Sequence, residues 1–430
     1  MAREYRDSGI EWIGQIPKEW EVIKGKNLLN LMSRPVRETD DVVTCFRDGE
    51  VILRSERRTE GFTMSDKEIG YQGINEGDIV IHGMDGFAGA MGISKSTGKG
   101  SPVLIVCNPK GFDDSRYIIY YLRSLAITNV FLALATGIRE RSCDLRWNKI
   151  SVLPFIRPQS NTQQKIAGYL DKVCGEVDEM VALQETMIEE LKAYKQSVIT
   201  EAVTKGLDPN VPMRNSGIDW IGDIPEHWGI QRLKTLGWTQ NGISQSGDYF
   251  GEDYEYPFIS YSDAYKNYSL PYPSGRANSS EEDRQKYSLT EGDVLFTRTS
   301  ETIEEIGFAS TCIETIPNVV YSGFLIRFRP TSENMFKGFS KYYFRSQVHR
   351  AYFVKQMNIV TRASLGQDLL KNLVVLLPPL DEQRAIASYL DTKCSEIDSL
   401  IAMKQAKIDE LKEYKKSVIY EYVTGKKEVC

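Results

Sequence analysis

Residues Gln163–Thr204 read QQKIAGYLDKVCGEVDEMVALQETMIEELKAYKQSVITEAVT, and Gln383–Thr424 read QRAIASYLDTKCSEIDSLIAMKQAKIDELKEYKKSVIYEYVT, a repeat at an offset of 220. Apolar residues recur at alternating spacings of four and three, the period of a helix with one buried seam. In the first copy the seam is carried by Leu170, Val177, Val181, Ile188 and Leu191, and in the second by Leu390, Ile397, Ile401, Ile408 and Leu411. Polar Gln184 and Lys404 fall at equivalent places in the two seams. They read either as residues that set register at a cost in stability or as a wetter patch of seam. Each helix starts after a proline stop, at Pro158 and at Pro378-Pro379, and the first stops near Gly206 and Pro209. About 40 residues at ~1.5 Å each make a rod of roughly 60 Å. A seam of that length needs a partner, and the expected partner is the duplicate helix, packed antiparallel.

Outward from the helices a second repeat appears. Asp7–Trp20 reads DSGIEWIGQIPKEW and Asn215–Trp228 reads NSGIDWIGDIPEHW, with nine of fourteen positions identical at an offset of 208. The offsets differ by 12 residues, so the stretch between the matched blocks is that much longer in the second copy. Inside those stretches only echoes survive. Glu76-Gly77-Asp78 answers Glu291-Gly292-Asp293, and Tyr120-Tyr121-Leu122-Arg123-Ser124 answers Tyr342-Tyr343-Phe344-Arg345-Ser346. Short β-branched and aromatic runs at 78–81, 103–106, 293–296 and 323–328 predict strands, and 117–125 and 338–355 predict helices. The fold class is α+β: two mixed domains separated by two long antiparallel coiled-coil helices, in a pseudo-twofold internal repeat. The divisions are 1–157 for the first domain, 158–206 for the central helix, 207–377 for the second domain and 378–430 for the C-terminal helix.

Length and composition agree. The 430 residues suffice for about three domains. With 41% apolar and 26% charged residues the chain is globular rather than disordered or fibrous. Apolar runs such as Asn372–Leu380 fall well short of the ~20 residues of a membrane span, and the N-terminus is charged, which predicts a cytoplasmic address with no membrane partner. Seven scattered cysteines and three histidines supply neither a disulfide framework nor a metal site. The net charge of −6 hides segregation. Residues 21–157 hold 19 basic against 17 acidic residues and 229–378 hold 16 against 16, whereas 161–205 hold 5 against 8.

Motifs of catalysis are missing. Gly92–Gly100 reads GISKSTGKG, in which five residues separate the first two glycines and Gly100 follows Lys99, so the hydroxyl of a phosphate-binding loop is absent. A turn between strands is the better reading. Phe87–Gly92 faintly resembles the methyl-donor loop of methyltransferases, yet the catalytic tetrapeptide that would accompany it occurs nowhere. A binding protein with no catalytic residues of its own follows.

Two divergent domains alternate with two near-identical helices, and each domain opens on a [DN]-S-G-I-x-W-I-G-x-I-P-x-x-W box. This arrangement resembles the specificity subunit of type I restriction-modification systems over essentially the whole chain. The most family-specific stretch is Pro378–Arg384, PPLDEQR, leading into Ile386-Ala387-x-Tyr389-Leu390-Asp391. In the first copy this run is degraded to Pro158–Gln164, PQSNTQQ, which predicts a different helix cap. The resemblance implies two target-recognition domains, each reading half of a split site on double-stranded DNA, with the helices as a spacer. It also implies two methyltransferase subunits that modify adenine N6 and restriction subunits that translocate DNA. S-adenosylmethionine, ATP and Mg would belong to those partners, with no cofactor in this chain.

Base-reading residues are ranked by donor geometry, since Arg and Lys suit guanine while most other basic side chains grip phosphate. In the first domain the candidates are Arg139 and Arg141, in a polar loop after a predicted helix, and Lys95 and Lys99 in the Gly/Ser turn. In the second they are Thr361, Arg362 and Ser364 in the corresponding loop, and Arg298 just after a predicted strand. Two rival readings stand beside this one: a coiled-coil interaction scaffold, and a solitary DNA methyltransferase with an unrecognised active site.

Overall fold

The computed structural model describes residues 3–57, 69–133, 145–244, 249–300, 306–356 and 363–429. The repeated box forms the same local structure twice. Tyr5–Asp7 pairs antiparallel with Gln15–Pro17, and Met213–Asn215 with Asp223–Pro225. Asp7 and Asn215 accept from the backbone N–H of Gly9 and Gly217 at 2.9 and 2.8 Å, closing Asx turns. Gly9, Gly14, Gly217 and Gly222 have φ between +68° and +74°, which explains why both copies keep glycine there. Trp20 and Trp228, the last residues of the two boxes, are buried.

Each domain is built on a four-stranded antiparallel sheet. In the first, β1 (Leu29–Leu31), β2 (Ile79–His82), β3 (Met91–Ile93) and β4 (Leu104–Pro109) lie in the order β1-β4-β2-β3. The helix α1 (Ser115–Ile127) follows, then the long helix α2 (Ser160–Lys205). In the second domain β5 (Gly237–Asn241), β6 (Val294–Thr297), β7 (Ala309–Thr311) and β8 (Leu325–Pro330) repeat the pattern as β5-β8-β6-β7. The helix α3 (Lys337–Tyr343) and the long helix α4 (Leu380–Val423) complete it. The segment predicted as one helix over 338–355 is in fact two, Lys337–Tyr343 and Val348–Gln356. Both the N–H and the hydroxyl of Ser346 turn back onto the Tyr343 carbonyl, at 3.1 and 2.7 Å, and close a turn where the helix would continue.

The Glu-Gly-Asp echoes enter the central strands. Asp78 and Asp293 are buried, and each accepts the N–H three residues before it, from Asn75 and Thr290, at 2.8 Å. Each also pairs with an arginine, Asp78 with Arg34 and Asp293 with Arg329. Gly77 and Gly292 supply the positive φ of +88° and +90° that the turn requires.

The two compact units do not break at the ends of the helices. One holds residues 1–185 with 405–430 and the other 186–404, so each long helix gives one half to each unit. In the first unit Asp178 pairs with Lys415 at 2.6 Å, and the rings of Tyr169 and Tyr422 lie 4.5 Å apart. Residue numbers rise on one helix as they fall on the other, so the packing is antiparallel. In the second unit Lys195 pairs with Asp398 at 2.6 Å, and Gly206 lies beside Glu382. Leu170, Val177, Ile188, Leu390, Ile397, Ile408 and Leu411 are buried, and Val181, Leu191 and Ile401 are half-buried. Gln184 and Lys404 are half-buried too. Among the described residues no helix is long and apolar enough to cross a membrane.

Candidate nucleic-acid interface

Each domain is tied to the start of a long helix by one buried glutamine. At the start of α2 the buried Gln163 donates to the Pro158 carbonyl at 2.9 Å and to Asp113 at 2.7 Å, and accepts from Asp114 N–H at 2.9 Å. At the start of α4 the buried Gln383 donates to the carbonyls of Pro378 and Asn334, both at 2.9 Å, and accepts from Phe336 N–H at 2.8 Å. Two of the three bonds recur in both copies and the third differs, going to the Asp113 carboxylate in the first and to the Asn334 carbonyl in the second, so the caps differ in detail. About two turns further on, Tyr120 donates to Asp171 at 2.9 Å and Tyr342 to Asp391 at 2.8 Å. Burial of each phenol, with the carboxylate beside it, pushes both tyrosines well above their ordinary range.

Of the candidates in the first domain, Lys95 sits in the turn after β3 and pairs with Glu50 at 2.8 Å. That hydrogen bond draws the Glu50 carboxyl below its usual range. Lys99 lies in the strand Gly98–Gly100, opposite Gly73, and is half-buried. Arg139 and Arg141 lie outside the described residues.

In the second domain the structure brings two candidates, Arg298 and Ser364, to one place. Arg298 follows β6 directly, and Thr299 pairs with the exposed Ser364 across a two-residue ladder. Arg298 N–H donates to the Phe324 carbonyl at 2.8 Å, and its own carbonyl accepts from Leu365 N–H at 2.7 Å. These residues line a cavity of about 790 Å³ whose walls include Phe250, Phe258, Tyr261 and Phe324. Thr361 and Arg362 lie outside the described residues. Phe324, with 60% of its surface exposed, escaped the reading of the sequence. It stands in the run 323–328, GFLIRF, beside Leu325 and Ile326, so nothing in the sequence marked it as the aromatic left open.

Other cations of this domain are already committed. Arg329 is held by Asp293 at 2.6 Å, which raises its pKa. The buried Arg327 donates to the Ser288 carbonyl and the Gln240 side chain, and desolvation pushes its pKa down. Arg345 is spread over the carbonyls of Ala264, Tyr265, Asn267 and Ala309.

Comparison with known proteins places this architecture. A family model described as the type I restriction modification DNA specificity domain matches residues 225–413. The type I restriction enzyme MjaVIII specificity subunit of Methanocaldococcus jannaschii is 23% identical, over 96% of this chain and 94% of its own. The EcoKI specificity subunit of Escherichia coli is 24% identical, over 69% of this chain and 64% of its own. Among solved structures, one described as showing complex assembly and conformational transition of the type I R-M system superimposes with a TM-score of 0.71 at 16% identity, covering 95% of this chain and 99% of that one. The HsdS subunit from Thermoanaerobacter tengcongensis gives 0.52 at 17% identity, over 95% and 98% of the two chains. With its two sheet domains and its long helices, the chain is similar along nearly its whole length to the specificity subunits of type I restriction-modification systems.

Proposed function

We propose that this chain reads a two-part asymmetric DNA sequence, one half with each domain, and that α2 and α4 set the distance between the halves. Specificity subunits supply sequence recognition while catalysis lies in partner subunits, and neither a bare scaffold nor a solitary methyltransferase accounts for the family match. The observation that carries the finer reading is a shared frame with unlike surfaces. Both domains keep the buried aspartate turn, the glutamine cap and the tyrosine–aspartate seat. The side chains beside that frame differ, with Lys95 in the first domain and Arg298 with the exposed Phe324 in the second. Direct readout varies with the side chains offered to the base edges, so unlike surfaces on one frame suit unlike half-sites.

Type I specificity subunits work with methyltransferase and restriction subunits. Because the seat of each domain on the helix pair is repeated, the same partner would be met twice, which favours two methyltransferase subunits per chain. S-adenosylmethionine, ATP and Mg would be bound by those partners. The test is to sequence the methylome of cells carrying the partner subunits with and without this chain. The expected result is a split adenine-methylated motif present only with the chain. The same motif in its absence would refute the reading.

A further inference from the structure

The two domains can be matched residue by residue at one point beyond the reach of the sequence repeat. After β2, Gly83 N–H donates to the Val103 carbonyl at 2.8 Å, and Leu145 N–H donates to the Gly83 carbonyl at 2.9 Å. After β6, Arg298 N–H donates to the Phe324 carbonyl at 2.8 Å, and Leu365 N–H donates to the Arg298 carbonyl at 2.7 Å. Gly83 and Arg298 therefore occupy one backbone position in one hydrogen-bonded frame, and Val103 answers Phe324. The first domain has no room for a side chain there, since a β-carbon on Gly83 would stand 2.7 Å from the Leu145 carbonyl oxygen and 2.9 Å from that of Val103. The second domain fills the position with a cation and sets an exposed phenylalanine beside it.

Three features say what that cation meets. Its Nε is buried with no hydrogen-bond partner among the described residues, and its side chain lines the cavity. Among the described residues no carboxylate lines the cavity, unlike the surroundings of Arg329 and Lys341, whose charges are taken by Asp293 and Asp391. The walls are aromatic and hydroxylic. An end-on guanidinium offers two parallel donors, which match the O6 and N7 acceptors of guanine in the major groove and neither edge of an A·T pair. Aromatic walls lower the local dielectric and strengthen that contact.

Building on the DNA-reading function proposed above, we infer that Arg298 reads a guanine in the half-site of the second domain, with Phe324 packed beside that base. The first domain has no counterpart, so its half-site is read from other positions. The test uses the chain together with its partner subunits in cells, with the methylated motif determined by sequencing for the wild type, Arg298→Gly, Arg298→Lys and Phe324→Ala. Arg298→Gly is a suitable probe because glycine already occupies the matching position in the sister domain. An unchanged first half of the motif reports an intact assembly.

The expected result for Arg298→Gly is loss of a single G in one half, with methylation of sites bearing another base there rising about ten- to hundredfold relative to the wild type. Arg298→Lys keeps part of the preference, and Phe324→Ala lowers methylation of that half without changing its letters. A motif unaltered in Arg298→Gly would overturn the inference while leaving the function standing. Equal weakening of all sites would overturn it in favour of a phosphate contact. A wild-type chain that imposes no motif would overturn both.

Discussion

His82 closes β2, and its Nδ1 accepts the Asp85 N–H at 3.0 Å, which requires a neutral ring nitrogen. Burial lowers the pKa of its imidazole; the Asp85 carboxylate opposes that shift and the Arg47 charge adds to it. The unfolded chain takes up the proton first, near the ordinary value of about 6.5, so folding loses stability as pH falls below that point. The melting temperature of the first unit is expected to drop between pH 7 and pH 5, and the drop is expected to shrink in His82→Gln; an identical slope in the variant would refute this account. Arg345 acts differently, by satisfying four main-chain carbonyls where no acid is present. Arg345→Met leaves those oxygens bare and is expected to cost about 3 kcal/mol in denaturant unfolding of the full chain. A cost below about 1 kcal/mol would mean that water replaces the guanidinium.

At the scale of elements, the starts of the two long helices are held by one glutamine each. Gln163→Ala and Gln383→Ala each remove three hydrogen bonds at a buried site. Each is expected to destabilise the chain by about 1 to 3 kcal/mol, measured by thermal unfolding, with Gln163→Ala toward the upper end because one of its bonds goes to a carboxylate. The helices themselves were legible in the sequence, since a seam repeating over ten or more positions outweighs any local ambiguity. The four central strands of each domain were legible in part, from runs such as Val103–Val106 and Asp293–Phe296. The pairing of Lys195 with Asp398 and of Lys415 with Asp178 was not, because both lysines occupy seam positions and their partners lie on another helix. The lysines are half-buried and their aspartate partners exposed, so solvent screening keeps the contribution of each pair small. Of the recognition surface, Arg298 and Ser364 were singled out by residue type. Phe324 and the equivalence of Gly83 with Arg298 depend on hydrogen bonds between distant strands, which leave no periodic mark.

For the whole molecule, the architecture makes each domain a closed insert. Glu21–Lys24 pairs antiparallel with Pro154–Arg157, with Glu21 opposite Arg157, and Gly229–Arg232 pairs with Val374–Leu377, with Gly229 opposite Leu377. The two ends of each segment are therefore hydrogen-bonded neighbours, and a segment can be exchanged without disturbing the helices on which it is seated. Because α2 and α4 pack antiparallel, lengthening must be made in both. One heptad added to each extends the pair by about 10 Å, or about three base pairs at ~3.4 Å per step. The spacer of the methylated motif is expected to grow by that amount with both halves unchanged, and an unchanged spacer would show that the helices do not set it. The most direct test of the central claim is the methylated motif imposed by a chain in which residues 21–157 are replaced by the matching segment of a relative. The account predicts that one half of the motif changes while the other half and the spacer stay as they were; a motif altered in both halves would contradict it.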